Sequence, residues 1–77
     1  MPMSTLESQL MVALAEGYER DPRGYVTLSK ETVDSSEARF IVADMRNHGY
    51  LDEKMRGVVR MTLRGYELFR NRYLISA

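Results

Sequence analysis

The order of local signals across residues 38–69 constrains the fold of this chain more than any other feature. An apolar-striped segment ends at Gly49, and apolar pairs at 50–51 and 58–59 then flank a charged tip. Thr62 follows the second pair, and its hydroxyl can accept a hydrogen bond from a free amide of a helical first turn. This order predicts a helix, a β-hairpin and a newly capped helix in succession.

The helix before the hairpin is expected over residues 35–48 and has two distinct faces. Asp34 or Ser35 can cap its start, and Gly49 supplies the left-handed residue that ends it. Because helical side chains repeat every 3.6 residues, four apolar positions fall on one side of this segment. We expect that inward stripe to consist of Ala38, Ile41, Val42 and Met45.

An earlier helix is predicted near the start of the chain. Ser4 and Glu7 have capping-box spacing, and the helix is expected to run to about Glu19. The Asp-Pro-Arg-Gly run at 21–24 ends it, since proline cannot continue a helix. Its buried stripe is predicted to contain Leu6, Leu10, Ala13, Leu14 and Gly17.

The remaining segment completes the predicted fold. Residues 25–28 are aromatic and β-branched, which predicts a short strand beside the hairpin. Residues 29–33 leave room for about one helical turn, so a supporting helix at this point is either abbreviated or missing. We therefore predict one α+β domain over residues 1–77, a small winged helix with about three helices and a short three-stranded antiparallel sheet.

Composition limits how such a domain is stabilised and where it works. A chain of 77 residues buries only about 60% of its surface, and without cysteine it can form no disulfide. The absence of cysteine fits a reducing cytoplasm, and no run approaches the roughly 20 apolar residues that cross a bilayer. We expect a cytoplasmic protein with no membrane partner, stabilised by packing and by a second copy of itself.

A net charge of zero hides an uneven distribution. Residues 1–34 carry three basic and six acidic side chains, whereas residues 35–77 carry eight basic and five acidic ones. The segment 54–72 has six basic side chains against Glu67 alone. A phosphate-binding face fits this segment, and an ordinary solvated surface fits it equally well.

The outward face of the predicted 35–48 helix is the first candidate site. Arg39, Arg46 and Asn47 are residue types that reach base edges or phosphates, and Ser36 can bond a phosphate near the helix start. The centre of this face is apolar, which suits a protein partner or packing of the aromatic side chain into the core. That centre consists of Phe40 and Ala43, with the phosphate-repelling Asp44 beside it.

The hairpin tip at 52–57 is the second candidate site. Gly57 and the polar residues before it predict a loop longer than two residues. Lys54 and Arg56 in that loop, with Arg60 on the following strand, are predicted phosphate contacts, and solubility is the alternative role. The carboxylates at 52 and 53 are expected to be solvated on the same loop.

Surplus apolar residues on the two terminal helices predict a homodimer. Tyr66, Phe69 and Tyr73 share a face and are expected to pack on the domain. Other apolar positions lie off the predicted stripes and need a partner surface. They are Met11, Val12, Leu68, Leu74 and Ile75, which we assign together with Phe40 and Ala43 to a partner or dimer interface.

The hairpin and its flanks resemble the end of bacterial winged-helix regulators. The pattern is Met45-x-x-x-Gly49-Tyr50-Leu51, a hairpin, then Met61-Thr62-x-x-Gly65-Tyr66-x-Leu68-Phe69. It is similar to the multiple-antibiotic-resistance and phenolic-acid-decarboxylase regulator families, and more so to short prophage-associated winged-helix proteins. The resemblance covers about residues 34–73 and implies DNA binding by a small transcriptional or prophage regulator; the region before it is shorter than in the larger regulators.

No residue pattern indicates an enzyme. His48 is the one histidine, and its position before Gly49 makes it a helix C-terminal residue, favourable there when protonated. The chain has no cysteine nucleophile, no serine at a plausible partner position to this histidine, no glycine-rich phosphate loop and no metal-ligand set, so we expect no cofactor and no metal. Two classes of function remain: a duplex-DNA-binding regulator, and a protein-interaction module such as a phage-type inhibitor or adaptor.

Overall fold

The computed structural model describes residues 5–74, with side chains through Arg72. Its elements confirm the predicted α+β class and a small winged-helix-like arrangement. The 29–33 segment forms an abbreviated helix, which brings the number of α-helices in the described range to four instead of about three. The elements are α1 (Thr5–Arg20), β1 (Val26–Thr27), α2 (Lys30–Asp34), α3 (Ser36–Asn47), β2 (Leu51–Met55), β3 (Val58–Met61) and α4 (Leu63–Phe69), followed by a π-helical turn (Arg70–Leu74).

The three strands form an antiparallel sheet in the order β1-β3-β2. Val26 lies opposite Val59, so β1 backs the hairpin as the sequence predicts. Strand β2 pairs with β3 from Leu51 opposite Met61 as far as Met55 opposite Val58, with a register shift around Lys54.

The predicted boundaries of the hairpin loop are wrong. Strand β2 continues through Met55, so the turn consists of Arg56 and Gly57 only. Gly57 has a φ of +84°, a conformation that glycine adopts without steric cost. The charged residues at 52–54 do not prevent strand formation, because β2 lies at the edge of the sheet and can expose polar side chains to water.

The core lies between α1, α3, α4 and the inner face of the hairpin. All four residues of the predicted α3 stripe are buried, as are Phe69 on α4 and Val59 at the centre of the sheet. The buried cluster consists of Leu10, Met11, Leu14, Ala15, Ile41, Val42, Met45, Leu51, Val59, Met61 and Phe69.

The predicted buried face of α1 needs correction. Met11, assigned above to a partner interface, is only 1% exposed, whereas Ala13 of the predicted stripe faces solvent. Helix α1 packs against β3, α4 and α3. These three neighbours cover an arc that extends to Met11 and Ala15, beyond the one indicated by the apolar spacing alone.

Side-chain caps set the boundaries of the helices around the hairpin. Of the two predicted caps for α3 it is Ser35 that acts, because its Oγ accepts from the Ala38 amide at 3.2 Å while Asp34 belongs to α2. Gly49, with a φ of +78°, ends α3 as predicted. Ser4, the predicted cap of α1, lies outside the described residues.

Candidate nucleic-acid interface

Helix α3 and the hairpin border one groove, which we call the wing groove. Its volume is about 430 Å³, and it runs between α3, α2 with the preceding Leu28, strand β2 and the hairpin turn. The apolar part of its wall includes Leu28, Val33, Val42, Ala43 and Met55. The charged part consists of Arg39, Arg46, Glu53 and Arg56.

The outward face of α3 is open, as predicted. Ser36, Arg39, Arg46 and Asn47 are all exposed, and an Arg39 Nη2 donates to Ser36 Oγ at 3.5 Å. Phe40 is 74% exposed, which excludes packing of this side chain into the core. Helix α3 therefore presents both polar and aromatic side chains to an external partner.

Arg46 is bound within the groove by a carboxylate from the hairpin. Its Nη1 lies 2.6 Å from Glu53 Oε1, and the Glu53 side chain is only 19% exposed. The predicted solvated loop position of Glu53 is therefore wrong, because extension of β2 turns this side chain towards α3. The pair neutralises part of the positive charge that Arg46 brings to the groove.

The outer face of the sheet holds the other predicted hairpin cations. Tyr25 lies beneath Lys54 and Arg60, whose charged groups are 5.5 and 4.8 Å from the ring centroid. Arg60 also contacts Asp52 at 3.3 Å and donates to the Arg23 carbonyl oxygen at 3.2 Å. Asp52 remains exposed to solvent as predicted, with 52% of its side chain accessible, and it also pairs with Arg60.

The predicted DNA-binding residues thus fall on two surfaces of the hairpin. Arg56 lines the wing groove with Arg39 and Arg46, and its Nη2 lies 3.5 Å from the Val33 carbonyl oxygen. Lys54 and Arg60 belong instead to the outer face around Tyr25. Alternation along β2 places Lys54 on the face opposite Glu53 and Met55, whereas Arg56 lies in the turn and reaches the groove from there.

The predicted interface residues do not all reach the surface. Val12 is 41% exposed, whereas Leu68 is partly buried and packs against the core cluster. Leu68 is therefore a packing residue of α4 in addition to any outward role. Leu74 has no described side chain, and Ile75 lies outside the described residues.

Two groove residues on β2 were not predicted as site residues, and neither were Leu28, Thr32 and Val33 of the same groove. Met55 is 61% exposed and borders the wing groove, and Glu53 holds Arg46 there. The period-2 spacing of Leu51, Glu53 and Met55 is the signal that could have indicated both, since alternate residues of a strand share a face.

His48 occupies the predicted position at the end of α3. Its Nδ1 lies 2.7 Å from the Asp44 carbonyl oxygen, and its ring stacks on Tyr50 with centroids 5.6 Å apart. Both contacts are those of a helix-terminal residue. Within the described range, no group of three or more His, Cys, Asp or Glu side chains is arranged to hold a metal ion.

Comparison of the chain with protein-family models, characterised proteins and solved structures gave no significant match. Over the residues that the structure describes, no helix combines the length and apolar character needed to cross a membrane.

Proposed function

We propose that this chain is a non-enzymatic winged-helix protein that binds duplex DNA. The observation that supports the proposal is the convergence of Arg39 and Arg46 from α3 with Arg56 from the hairpin turn at a single groove. A recognition helix and a wing that present positive charge on the same side can contact one duplex together.

The proposed contacts follow from side-chain chemistry. On α3, Arg39, Arg46 and Asn47 are suited to base edges in the major groove, and Ser36 to a phosphate near the helix start. Arg56, which shares the groove with the α3 residues, would contact the sugar-phosphate backbone there. Lys54 and Arg60 would contact a part of the backbone that passes the outer face of the sheet. Binding would require phosphate or base groups to compete with Glu53 for Arg46.

The biological setting belongs to the same proposal. We propose a cytoplasmic transcriptional or prophage regulator that acts as a homodimer without a cofactor. Two copies would place two α3 helices on successive half-sites of a duplex, the arrangement typical of helix-turn-helix dimers.

A fluorescence anisotropy titration with a mixed-sequence duplex at low salt tests DNA binding. We expect binding that weakens by roughly 0.9 log units per phosphate contact for each log unit of salt. The double variant Arg39→Ala/Arg46→Ala should bind about tenfold more weakly, a loss of about 1.4 kcal/mol. The matched control is Arg20→Ala/Arg70→Ala, which removes two exposed arginines that do not line the groove.

Two results would count against DNA binding. One is the absence of any anisotropy change at about 50 μM protein, where non-specific binding of a regulator is already measurable. The other is an equal loss for the groove double variant and its control. Glu53→Gln provides an opposite test, because release of Arg46 from its carboxylate partner should strengthen binding.

Phe40 favours a second candidate function, a protein-interaction module. A phenylalanine 74% exposed at the centre of a helix face is suited to a partner pocket and gives no advantage against phosphate. Phe40→Ala distinguishes the two candidate functions. It should leave DNA binding unchanged but abolish association with a protein partner. Binding of such a partner through apolar contacts should also depend little on salt.

A further inference from the structure

We propose that the wing groove binds an acidic amphipathic segment of a protein partner. The groove combines an apolar wall with a basic rim, and each part requires a different chemical group from its occupant. The proposal depends on the groove alone and holds whether or not the chain binds DNA.

Contacts with DNA do not account for the size of the apolar wall. Met55 is 61% exposed, and Val33, Val42 and Ala43 continue the same apolar surface across to α3. A phosphate backbone can neutralise the arginines but cannot fill an apolar groove of about 430 Å³. That volume lies within the range of about 300–1,000 Å³ typical of ligand sites with mostly apolar linings.

The arginines at the rim of the groove, Arg39, Arg46 and Arg56, favour a negatively charged occupant. Three arginines line the groove against the single carboxylate of Glu53. Among the described residues, no carboxylate lies within 4.0 Å of the guanidinium of Arg39 or Arg56, whereas Arg46 already binds Glu53 at 2.6 Å. The Arg46–Glu53 pair demonstrates that a carboxylate fits this rim, and two further guanidinium groups are available for carboxylates of a partner.

A peptide segment with apolar and acidic residues meets both requirements. Large apolar side chains repeated at helical spacing would enter the groove between α3 and the hairpin, the mode by which amphipathic helices dock into apolar grooves. Acidic side chains beside them would reach Arg39 and Arg56. Charge-assisted hydrogen bonds to arginine would set the orientation, and burial of Met55 would supply affinity.

Titration of the isotope-labelled full chain with a synthetic peptide, followed by backbone amide shifts, tests this proposal without DNA. The probe is a capped peptide of about 14 residues with leucine at positions i, i+3, i+4 and i+7 and glutamate at most other positions. One control peptide has the same composition in scrambled order. A second control replaces each glutamate by lysine.

We expect saturable shifts centred on Ala43 and Met55 with the acidic amphipathic probe, and at least tenfold weaker binding of both control peptides. Met55→Glu should weaken probe binding at least tenfold, whereas Leu63→Glu should leave it unchanged. The two positions are a matched pair, because each side chain is 61% exposed and Leu63 does not line the groove. Ala43→Glu serves as a second groove variant, and circular dichroism verifies that every variant is folded.

Several outcomes would overturn the proposal. The first is the absence of amide shifts at about 1 mM probe, a concentration that detects a binding free energy of about −4.1 kcal/mol. The second is equal binding of the scrambled peptide. The third is an equal loss of probe affinity in Met55→Glu and Leu63→Glu. If duplex DNA shifts the amide signals of the groove and the peptide does not, the groove binds nucleic acid instead of a peptide. Failure to bind DNA with intact peptide binding would remove only the DNA-binding proposal.

Discussion

At the residue scale, Gly65 shows how closely α4 approaches the start of the hairpin. A Cβ atom at this position would meet the backbone carbonyl oxygen of Tyr50, and it would lie 3.1 Å from the Met61 side chain. A backbone oxygen cannot move aside as a side chain can. Close approach of two segments therefore requires glycine here, although glycine is unfavourable within a helix.

We predict that Gly65→Ala lowers the free energy of unfolding by about 2 kcal/mol, since overpacking against backbone exceeds the gain in helix propensity. Gly17→Ala is the comparison, because its Cβ would meet only a methyl group of Val26 at 2.6 Å. Its effect should stay within about 1 kcal/mol. Urea denaturation measures both, and equal effects of the two substitutions would contradict the assigned contact.

Tyr66 joins α4 to the end of α1. Its ring stacks on Tyr18 with centroids 4.6 Å apart, and its hydroxyl donates to Glu19 Oε2 at 2.5 Å. This hydrogen bond is the largest cause of the raised pKa of Tyr66, followed by desolvation and by the negative charge of Glu19. Ionised Tyr66 would lose the donor and repel the carboxylate.

The raised pKa of Tyr66 predicts loss of stability in alkali. Its contribution to stability is complete below the ordinary tyrosine pKa of about 10 and disappears as the pH rises through the higher pKa of the folded state. Glu19→Gln should move the ionisation of this tyrosine to lower pH. Ultraviolet titration of tyrosinate measures this ionisation, and comparison with Tyr66→Phe identifies the signal of Tyr66. An unchanged titration of Tyr66 in Glu19→Gln would exclude the hydrogen bond to Glu19 as the cause of the raised pKa.

At the scale of elements, Thr62 connects the end of α3 with the start of α4. Its Oγ1 accepts from the Gly65 amide at 3.1 Å and donates to the Gly49 carbonyl oxygen at 2.6 Å. One hydroxyl thus satisfies groups from two helix ends that would otherwise lack partners. The contact also ties the end of α3 to the end of the hairpin, and α3 and the hairpin border the wing groove.

We predict that Thr62→Ala lowers the free energy of unfolding by about 2 kcal/mol, because it removes a helix cap and a second hydrogen bond. Thr62→Ser keeps the hydroxyl and should recover most of that loss. Ser29→Ala, which removes the exposed cap of the five-residue α2, is expected to cost about 1 kcal/mol or less. Thermal unfolding compares the three variants, and a Thr62→Ser variant as unstable as Thr62→Ala would refute the hydroxyl's role.

Elements were predictable from sequence where local rules determine them. The α3 stripe, the Thr62 cap and the left-handed Gly49 all follow from spacing and residue type, and all are confirmed. The hairpin turn was not predictable from composition, because polar residues at 52–54 suit a loop and the exposed face of an edge strand equally. Pairing with β3 decides between them.

At the scale of the whole molecule, size limits stability. A domain of 77 residues buries a modest fraction of its surface, and association is one way for such a domain to cover more apolar area. Burial of Met11 and partial burial of Leu68 reduce the surplus that the sequence indicated. Among the members of that set with described side chains, Val12 and Phe40 are the exposed ones.

We predict a homodimer at micromolar concentration, measured by sedimentation equilibrium. Val12→Lys should shift the equilibrium towards the single chain, because a charge in an apolar interface is costly to desolvate. Ala13→Lys provides a matched exposed position on the same helix. A mass of one chain for the unmodified protein would refute the predicted dimer.

The sequence by itself determined the order of α1, β1, α3, the hairpin and α4, together with the inward stripe of α3 and the capped start of α4. Spacing, turn residues and caps act over a few neighbouring positions, which is why they can be recognised from sequence. Only the tertiary structure decided which apolar residues are buried, as at Met11, and which charges meet, as at Arg46 and Glu53. These outcomes depend on how separate elements pack, and a periodicity within one segment carries no information about its neighbours. The wing groove arises in the same way, since each wall comes from a different part of the chain.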